Sequence, residues 1–281
     1  MTKAKVISFI NMKGGVGKTT LCISVAEYLA NFLEKRVLII DVDPQFNATQ
    51  SLMGNFNRVD EYMDEIVGNK KTIRELFKNI TSVYEKNTDL KADEIIVELN
   101  KNLHIICGDI NLIFDGESRD PSRNRRIKKF INHNNLREHY DFIFIDCPPT
   151  ISFFTDSAII ASDYFIIPAK IDRYSQLGTA SLMSIINRLI SDEELGIKPL
   201  GIIYTMIDGL MENLTQKTKE IKELFEEEES IKGIYIFKSY MQDVTDLKVG
   251  KQGNIASKYQ KSYKDIKNIC EEIIEKVEEG L

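Results

Sequence analysis

The 281-residue chain is defined first by what it lacks. Its four cysteines, Cys22, Cys107, Cys147 and Cys270, lie far apart and form no C-x-x-C pair. That spacing argues against zinc and disulfide frameworks and suits structural thiols in a reducing cytoplasm. No stretch approaches about 18 uninterrupted apolar residues, so no membrane-spanning helix is expected. The first apolar run begins at Lys5, so no signal peptide is expected either. Internal repeats and low-complexity linkers are missing. Positive charge is short as well: 37 Lys and Arg stand against 43 Asp and Glu, a formal net of −6. Any contact with nucleic acid must therefore come from a local patch.

What is present is a full complement of core residues, 43% hydrophobic, in alternating apolar runs and amphipathic stretches. Strands are expected at Lys5–Asn11, Arg36–Asp41, Leu103–Cys107, Phe142–Asp146, Tyr164–Pro168, Leu200–Met206 and Ile234–Phe237. Helical stretches fall between most of them. This alternation predicts an α/β fold with a mostly parallel central sheet and helices on both faces. One domain over 1–281 is expected, with the polar, irregular stretch 54–101 as an insertion over a sheet edge.

The most specific segment is Lys13-Gly14-Gly15-Val16-Gly17-Lys18-Thr19-Thr20. It departs from the strict phosphate-loop pattern, because Met12 stands at the first Gly position, and a second lysine, Lys13, opens the turn. The physics is that of a phosphate loop. Glycines let backbone N–H groups approach phosphates, and the following helix adds its positive end. Lys18 is placed to reach the β- and γ-phosphates, and the Thr19 hydroxyl to ligand Mg²⁺. The run before the loop reads as a buried strand. Apolar Leu21, Val25, Leu29 and Phe32 after it read as a helix over 19–33, the context such a loop requires.

Two further acidic sites follow. The second strand runs into Asp41-Val42-Asp43-Pro44-Gln45, where Asp43 can orient an attacking water and Asp41 can support the metal from its second shell. Phe142–Asp146 is an apolar strand ending in an acid, and in phosphate-loop enzymes that acid holds Mg²⁺ through water. The stiff segment Cys147-Pro148-Pro149-Thr150 comes next, a candidate sensor of the γ-phosphate.

Together, Lys13–Thr20, Asp41–Thr49 and Phe142–Pro149 resemble the deviant Walker A, switch I and Walker B segments of the ParA/MinD ATPases, most closely the ParA-type partition ATPases. The resemblance extends through Ala158–Pro168 and Gly201–Asp208 and covers nearly the whole chain. It implies a P-loop NTPase fold, with ATP and Mg²⁺ as cofactors. It implies a face-to-face ATP-dependent homodimer in which Lys13 enters the partner's site. Gly14, Gly15, Val16, Gly17, Lys18, Thr19 and Thr20 would hold the phosphates and Mg²⁺, Asp43 would orient water, and Asp146 would be the Walker B acid. One departure is Phe46, where the family commonly has Gly.

Three functional branches are open at this level. A DNA-segregation ATPase would bind DNA nonspecifically and answer to a ParB-like centromere-binding adaptor, working in the cytoplasm at the nucleoid. Residues 232–267 offer eight lysines against three aspartates, with Lys248, Lys251 and Lys258 as the candidate DNA contacts. A MinD-like membrane-positioning ATPase needs a basic amphipathic C-terminal helix. The end of this chain, with Glu271, Glu272, Glu275, Glu278 and Glu279 against Lys276, is acidic, so no membrane partner is expected. A reductase or metal carrier would need cluster ligands, and only Cys147 lies near the site. A second basic run, Arg119, Arg123, Arg125, Arg126, Lys128 and Lys129, reads as the polar face of a helix or as a partner or DNA contact. Neither an N-terminal helix-turn-helix extension nor sequence-specific operator binding is expected.

Overall fold

In the computed structural model, residues 3–78, 90–115, 121–250 and 252–280 are described. Strands β1 (Lys5–Phe9), β2 (Val37–Asp41), β3 (Ile96–Glu98), β4 (Leu103–Ile106), β5 (Phe142–Asp146), β6 (Tyr164–Ala169) and β7 (Lys198–Tyr204) form one sheet in the order β3-β4-β2-β5-β1-β6-β7. Every pairing is parallel except β3 with β4. Every residue of β2 and β5 is buried, as expected of central parallel strands covered on both faces.

Side chains alternate between two cores. Ile7, Phe9, Ile39 and Phe144 meet α1 (Lys18–Phe32) and the long C-terminal helix, Gln260–Glu279, through Leu21, Val25, Leu29, Ile266 and Ile269. Val6, Leu38, Ile40, Ile143 and Ile145 meet the helices Arg126–His133, Phe153–Ala161 and Arg173–Asp192 on the other face. Each fully buried Ile, Leu or Phe contributes about 1.5–3 kcal/mol, so the two faces carry the fold. The apolar stripe of Gln260–Glu279 lies against α1, and among the described residues no helix is long and apolar enough to cross a membrane.

Two expectations are corrected. Ile234–Phe237 does not form a strand: it touches β7 at one isolated parallel bridge, Ile202 with Ile236. Just beyond it the buried Glu272 carboxylate takes the backbone N–H groups of Lys238 and Ser239 at 2.8 and 2.9 Å, which interrupts the pairing until Met241 bonds to Tyr204 and Ile207. The unexpected strand is β3, only three residues long and too short to show a period of two. It comes from the irregular stretch 54–101. The described part of that stretch also supplies Tyr62 and Ile66 to one core and Ile73, Phe77 and Ile95 to the other. Residues 79–89 lie outside the described residues.

The order β2-β5-β1 brings the C-terminal ends of three strands side by side, where ligands bind in open α/β sheets. Register makes this concrete: Asp146 pairs with Phe9 on one side and with Asp41 on the other.

Candidate nucleotide site

The loop between β1 and α1 turns through two glycines in the left-handed region, Gly15 (φ 68°) and Gly17 (φ 77°), the latter serving as the N-cap of α1. A side chain at either would strain the turn. The turn is braced from outside. Asn11 donates to the Pro168 carbonyl at 2.6 Å and accepts the Lys13 N–H at 2.8 Å. Thr205, buried after β7, donates to the Val16 carbonyl at 2.7 Å. Thus β1, β6 and β7 all hold the loop, and the α1 N-terminus supplies its partial positive charge there.

Lys18 is 7% exposed at the start of α1, and its charge acts on Asp146. Thr19 Oγ1 donates to Asp146 Oδ2 at 2.7 Å. The other oxygen, Asp146 Oδ1, is buried with no hydrogen-bond partner. A buried carboxylate oxygen left unpaired is costly, and this one lies beside the hydroxyl that would ligand Mg²⁺. Thr19 and Asp146 therefore fit a hydrated Mg²⁺. Among the described residues no three of His, Cys, Asp and Glu converge on one metal point, so the ion would depend on phosphate oxygens as well.

The loop after β2 is held at both ends. Asp41 Oδ2 accepts the Thr49 N–H at 2.9 Å and the Thr49 hydroxyl at 2.7 Å, and Oδ1 accepts the Asp43 N–H at 3.2 Å. Asp43, 3% exposed, accepts the Gln45 N–H at 2.9 Å. Asp41 thus works on the loop itself, tying its two ends to β2. Burial raises the Asp41 carboxyl to about 8, helped by the charge of Asp146 and opposed by the Thr49 hydrogen bonds. Burial likewise raises Asp146 to about 6, opposed by Lys18 and Thr19. Three acids share a dry site with one lysine, which suits a place that receives cations.

Phe46 stands at the N-cap of α2 (Asn47–Asn55) with φ 43° and ψ 36°. For a bulky residue this left-handed conformation costs about 1–2 kcal/mol. Its ring stacks on Tyr62, centroids 5.8 Å apart, which offsets part of that strain.

Lys13 is the surprise. It reaches back along its own chain to form an ion pair with Asp172, and lies 3.4 Å from Ser175 Oγ and 5.8 Å from the Tyr174 ring centroid. Asp172 is the N-cap of the helix Arg173–Asp192 and accepts the Ser175 N–H at 2.9 Å. Both ionic partners are about a third exposed, so the pair is weak and readily exchanged. Sequence reasoning missed Asp172, Thr49, Asn11 and Thr205. Only Asp172 carried a local signal, an acid three residues before Ser175 at a helix start.

The basic candidates divide. Lys248 donates to Asp243 at 2.6 Å and lines a cavity beside the phosphate loop with Gly17, Thr20, Met206, Met241 and Leu247. Lys258 is exposed, as are Lys261 and Lys264 on the C-terminal helix, while Lys251 and Arg119 lie outside the described residues. The second basic run is not a simple polar face. Arg123 is fully buried, donating to the Phe77 carbonyl at 2.7 Å and lying over the Phe153 ring, and Arg126 donates to the Leu76 and Lys78 carbonyls. Lys128 and Lys129 are exposed. All four cysteines are buried and free, and burial pushes the Cys147 thiol up, away from a ligand thiolate.

A glycine loop joining strand to helix, an acid on the neighbouring strand and a metal-competent hydroxyl define a nucleotide-binding α/β protein. Residues 4–198 match the family described as AAA domain. The chain is similar to the sporulation initiation inhibitor protein Soj of Bacillus subtilis (28% identical over 221 residues, 79% of this chain and 80% of Soj). It is also similar to the chromosome partitioning protein ParA of Myxococcus xanthus (28% over 227 residues, 81% of this chain and 74% of ParA). An ATP-bound McdA from Cyanothece shares the fold, with a TM-score of 0.78 at 21% identity, covering 99% of this chain and 97% of that one. The chain belongs to the AAA-domain family, and the relatives Soj and ParA are in keeping with the ParA-type resemblance of its motifs.

Proposed function

We propose that this chain is a Mg²⁺-dependent ATPase that dimerises on ATP, binds DNA without sequence preference as the dimer, and is released when hydrolysis, stimulated by a ParB-like adaptor, resets it. The observation that carries the reading is the Thr19–Asp146 hydrogen bond beside a buried, unpartnered carboxylate oxygen, at the foot of a two-lysine phosphate loop. Gly14 to Thr20 wrap the phosphates through backbone N–H groups, and Lys18 supplies the charge on the transferred group. Mg²⁺, when bound, neutralises the phosphate oxygens, with Thr19 as ligand and Asp146 acting through water. Asp43 orients the attacking water, and Asp41 keeps Asp43 in place.

Lys13 leaves Asp172 and crosses to the partner's phosphates, exchanging a weak exposed ion pair for a charge-assisted contact with a more highly charged group. The DNA face is the exposed set Lys258, Lys261 and Lys264, doubled by the dimer; Lys248, also exposed, is held by Asp243. The protein works in the cytoplasm on nucleoid DNA. DNA binding measured with ATP, with ADP and without nucleotide tests this directly. Tight binding with ATP alone is the expected result. Absence of binding in all three states favours a role in positioning another cargo.

A further inference from the structure

The Phe46 ring and Gly108 close a lock around the loop that carries Asp43. Phe46 N–H donates to the Asp43 carbonyl at 2.8 Å, so the turn 43–46 is one unit with the residue at its end. That end is strained and half-buried, with its ring on Tyr62, a 6% exposed residue in the π-helical turn Tyr62–Ile66. The Tyr62 hydroxyl donates to the Gly108 carbonyl at 2.9 Å. Gly108 N–H in turn donates to Thr49 Oγ1 at 2.8 Å, the same hydroxyl that donates to Asp41. The circuit runs Asp41, Thr49, Gly108, Tyr62, Phe46 and back to the Asp43 carbonyl. Gly108 is sterically obligatory in it: a Cβ there would lie 2.7 Å from the Phe46 Cβ and 3.0 Å from the Asp41 carboxyl.

We propose that Phe46 is a positioning residue for ATP hydrolysis: stacked on Tyr62, it clamps the 43–49 loop to the segments 62–66 and 107–109 and so fixes where Asp43 stands. The proposal rests on Asp43 being the water-orienting acid. A ring that touches neither phosphate nor water then acts on turnover and leaves nucleotide affinity alone. A loop released by one ångström loses on the order of tenfold to a hundredfold in rate.

The experiment is steady-state ATPase kinetics of Phe46→Gly, Tyr62→Leu and their double variant, with Asp43→Ala alongside. Phe46→Gly keeps the left-handed backbone that glycine adopts freely and removes only the ring. Each single variant is expected to lower kcat about tenfold with KM for ATP within about twofold of wild type. The double variant is expected to be no slower than the worse single, because both open one lock. Tyr62→Phe, which keeps the stack, should retain most of the activity lost in Tyr62→Leu. If Phe46→Gly does not fold, Tyr62→Leu and Tyr62→Phe carry the test. Wild-type kcat in either ring-removing variant, or losses that multiply in the double, overturns the lock. An inactive Asp43→Ala with a fully active Phe46→Gly overturns the lock alone. A fully active Asp43→Ala overturns the reading of the site beneath it, and the lock with it.

Discussion

The ends of β2, β5 and β1 and the lysine-rich stretch 232–267 are opposite kinds of surface. In the first, charged groups are buried and nearly every polar atom is spoken for: Asp41 accepts three hydrogen bonds, Thr49 bridges two loops, and Thr19 holds Asp146. In the second, Lys258, Lys261 and Lys264 stand in solvent, while Lys238 lends only its backbone N–H to Glu272. A preorganised site discriminates between chemical groups, because each donor and acceptor has one place to be. A fringe of solvated lysines attracts any polyanion and discriminates little. The contrast is the one the proposed function requires, in which ATP is read closely and DNA loosely.

Substitutions break the first region far more severely than the second. The largest effect is expected from Lys18→Ala, which takes the main side-chain charge from the phosphates. ATP affinity should fall by about a hundredfold or more in a binding titration, whereas an unaltered affinity would mean that the loop does not hold phosphate. Next is Asp43→Ala, expected to bind ATP normally, hydrolyse it at most about a hundredth as fast, and accumulate as dimer in light scattering.

An intermediate effect concerns pH. Asp41 and Asp146 are raised in the folded protein, so between the ordinary carboxylate range and about 8 the folded state holds protons that the unfolded state has lost. Stability then falls as pH rises through that window, and this contribution is greatest at the acidic end. Melting temperature without nucleotide should therefore drop from about pH 6 to about pH 8. Asp41→Asn should flatten that slope, and an equally steep slope in the variant would assign it elsewhere. The smallest effect belongs to the fringe. Lys258→Gln, Lys261→Gln and Lys264→Gln together should leave ATP turnover unchanged and weaken DNA binding, reducing the salt slope by about 0.9 for each phosphate no longer neutralised. An unchanged slope would move the DNA face, with Lys128 and Lys129 as the next exposed candidates.

The same contrast governs what was legible in the sequence. Gly14 to Thr20, Asp41, Asp43 and Asp146 are contiguous motifs at strand ends, and strand register alone brings them together. The parallel sheet followed from runs such as Phe142–Asp146, apolar at every position but the last. What stayed hidden depends on long-range pairing. Asp172 lies 159 residues from Lys13, and Gly108 lies 59 from Thr49. Arg123 looked like surface charge because its partners, a carbonyl at Phe77 and the ring of Phe153, come from elsewhere in the fold. Ile234–Phe237 has strand composition, but the Glu272 carboxylate that takes the backbone N–H groups just beyond it sits on the C-terminal helix. Phe46 could be flagged as a departure, yet its ring partner, Tyr62, emerges only in three dimensions.

Two chains are expected to build each active site, and Lys13 is the residue that decides it. In this structure Lys13 rests on its own chain's Asp172; with ATP bound it is expected to move into the partner. Lys13→Ala and Asp43→Ala proteins, each inactive alone, should be mixed in equal amounts with ATP and the hydrolysis rate measured. If Lys13 acts across the interface, half the dimers are mixed and each has one complete site, so the mixture should recover about a quarter of wild-type turnover. A mixture as inactive as its components would place Lys13 in its own chain's site and contradict the shared-site dimer.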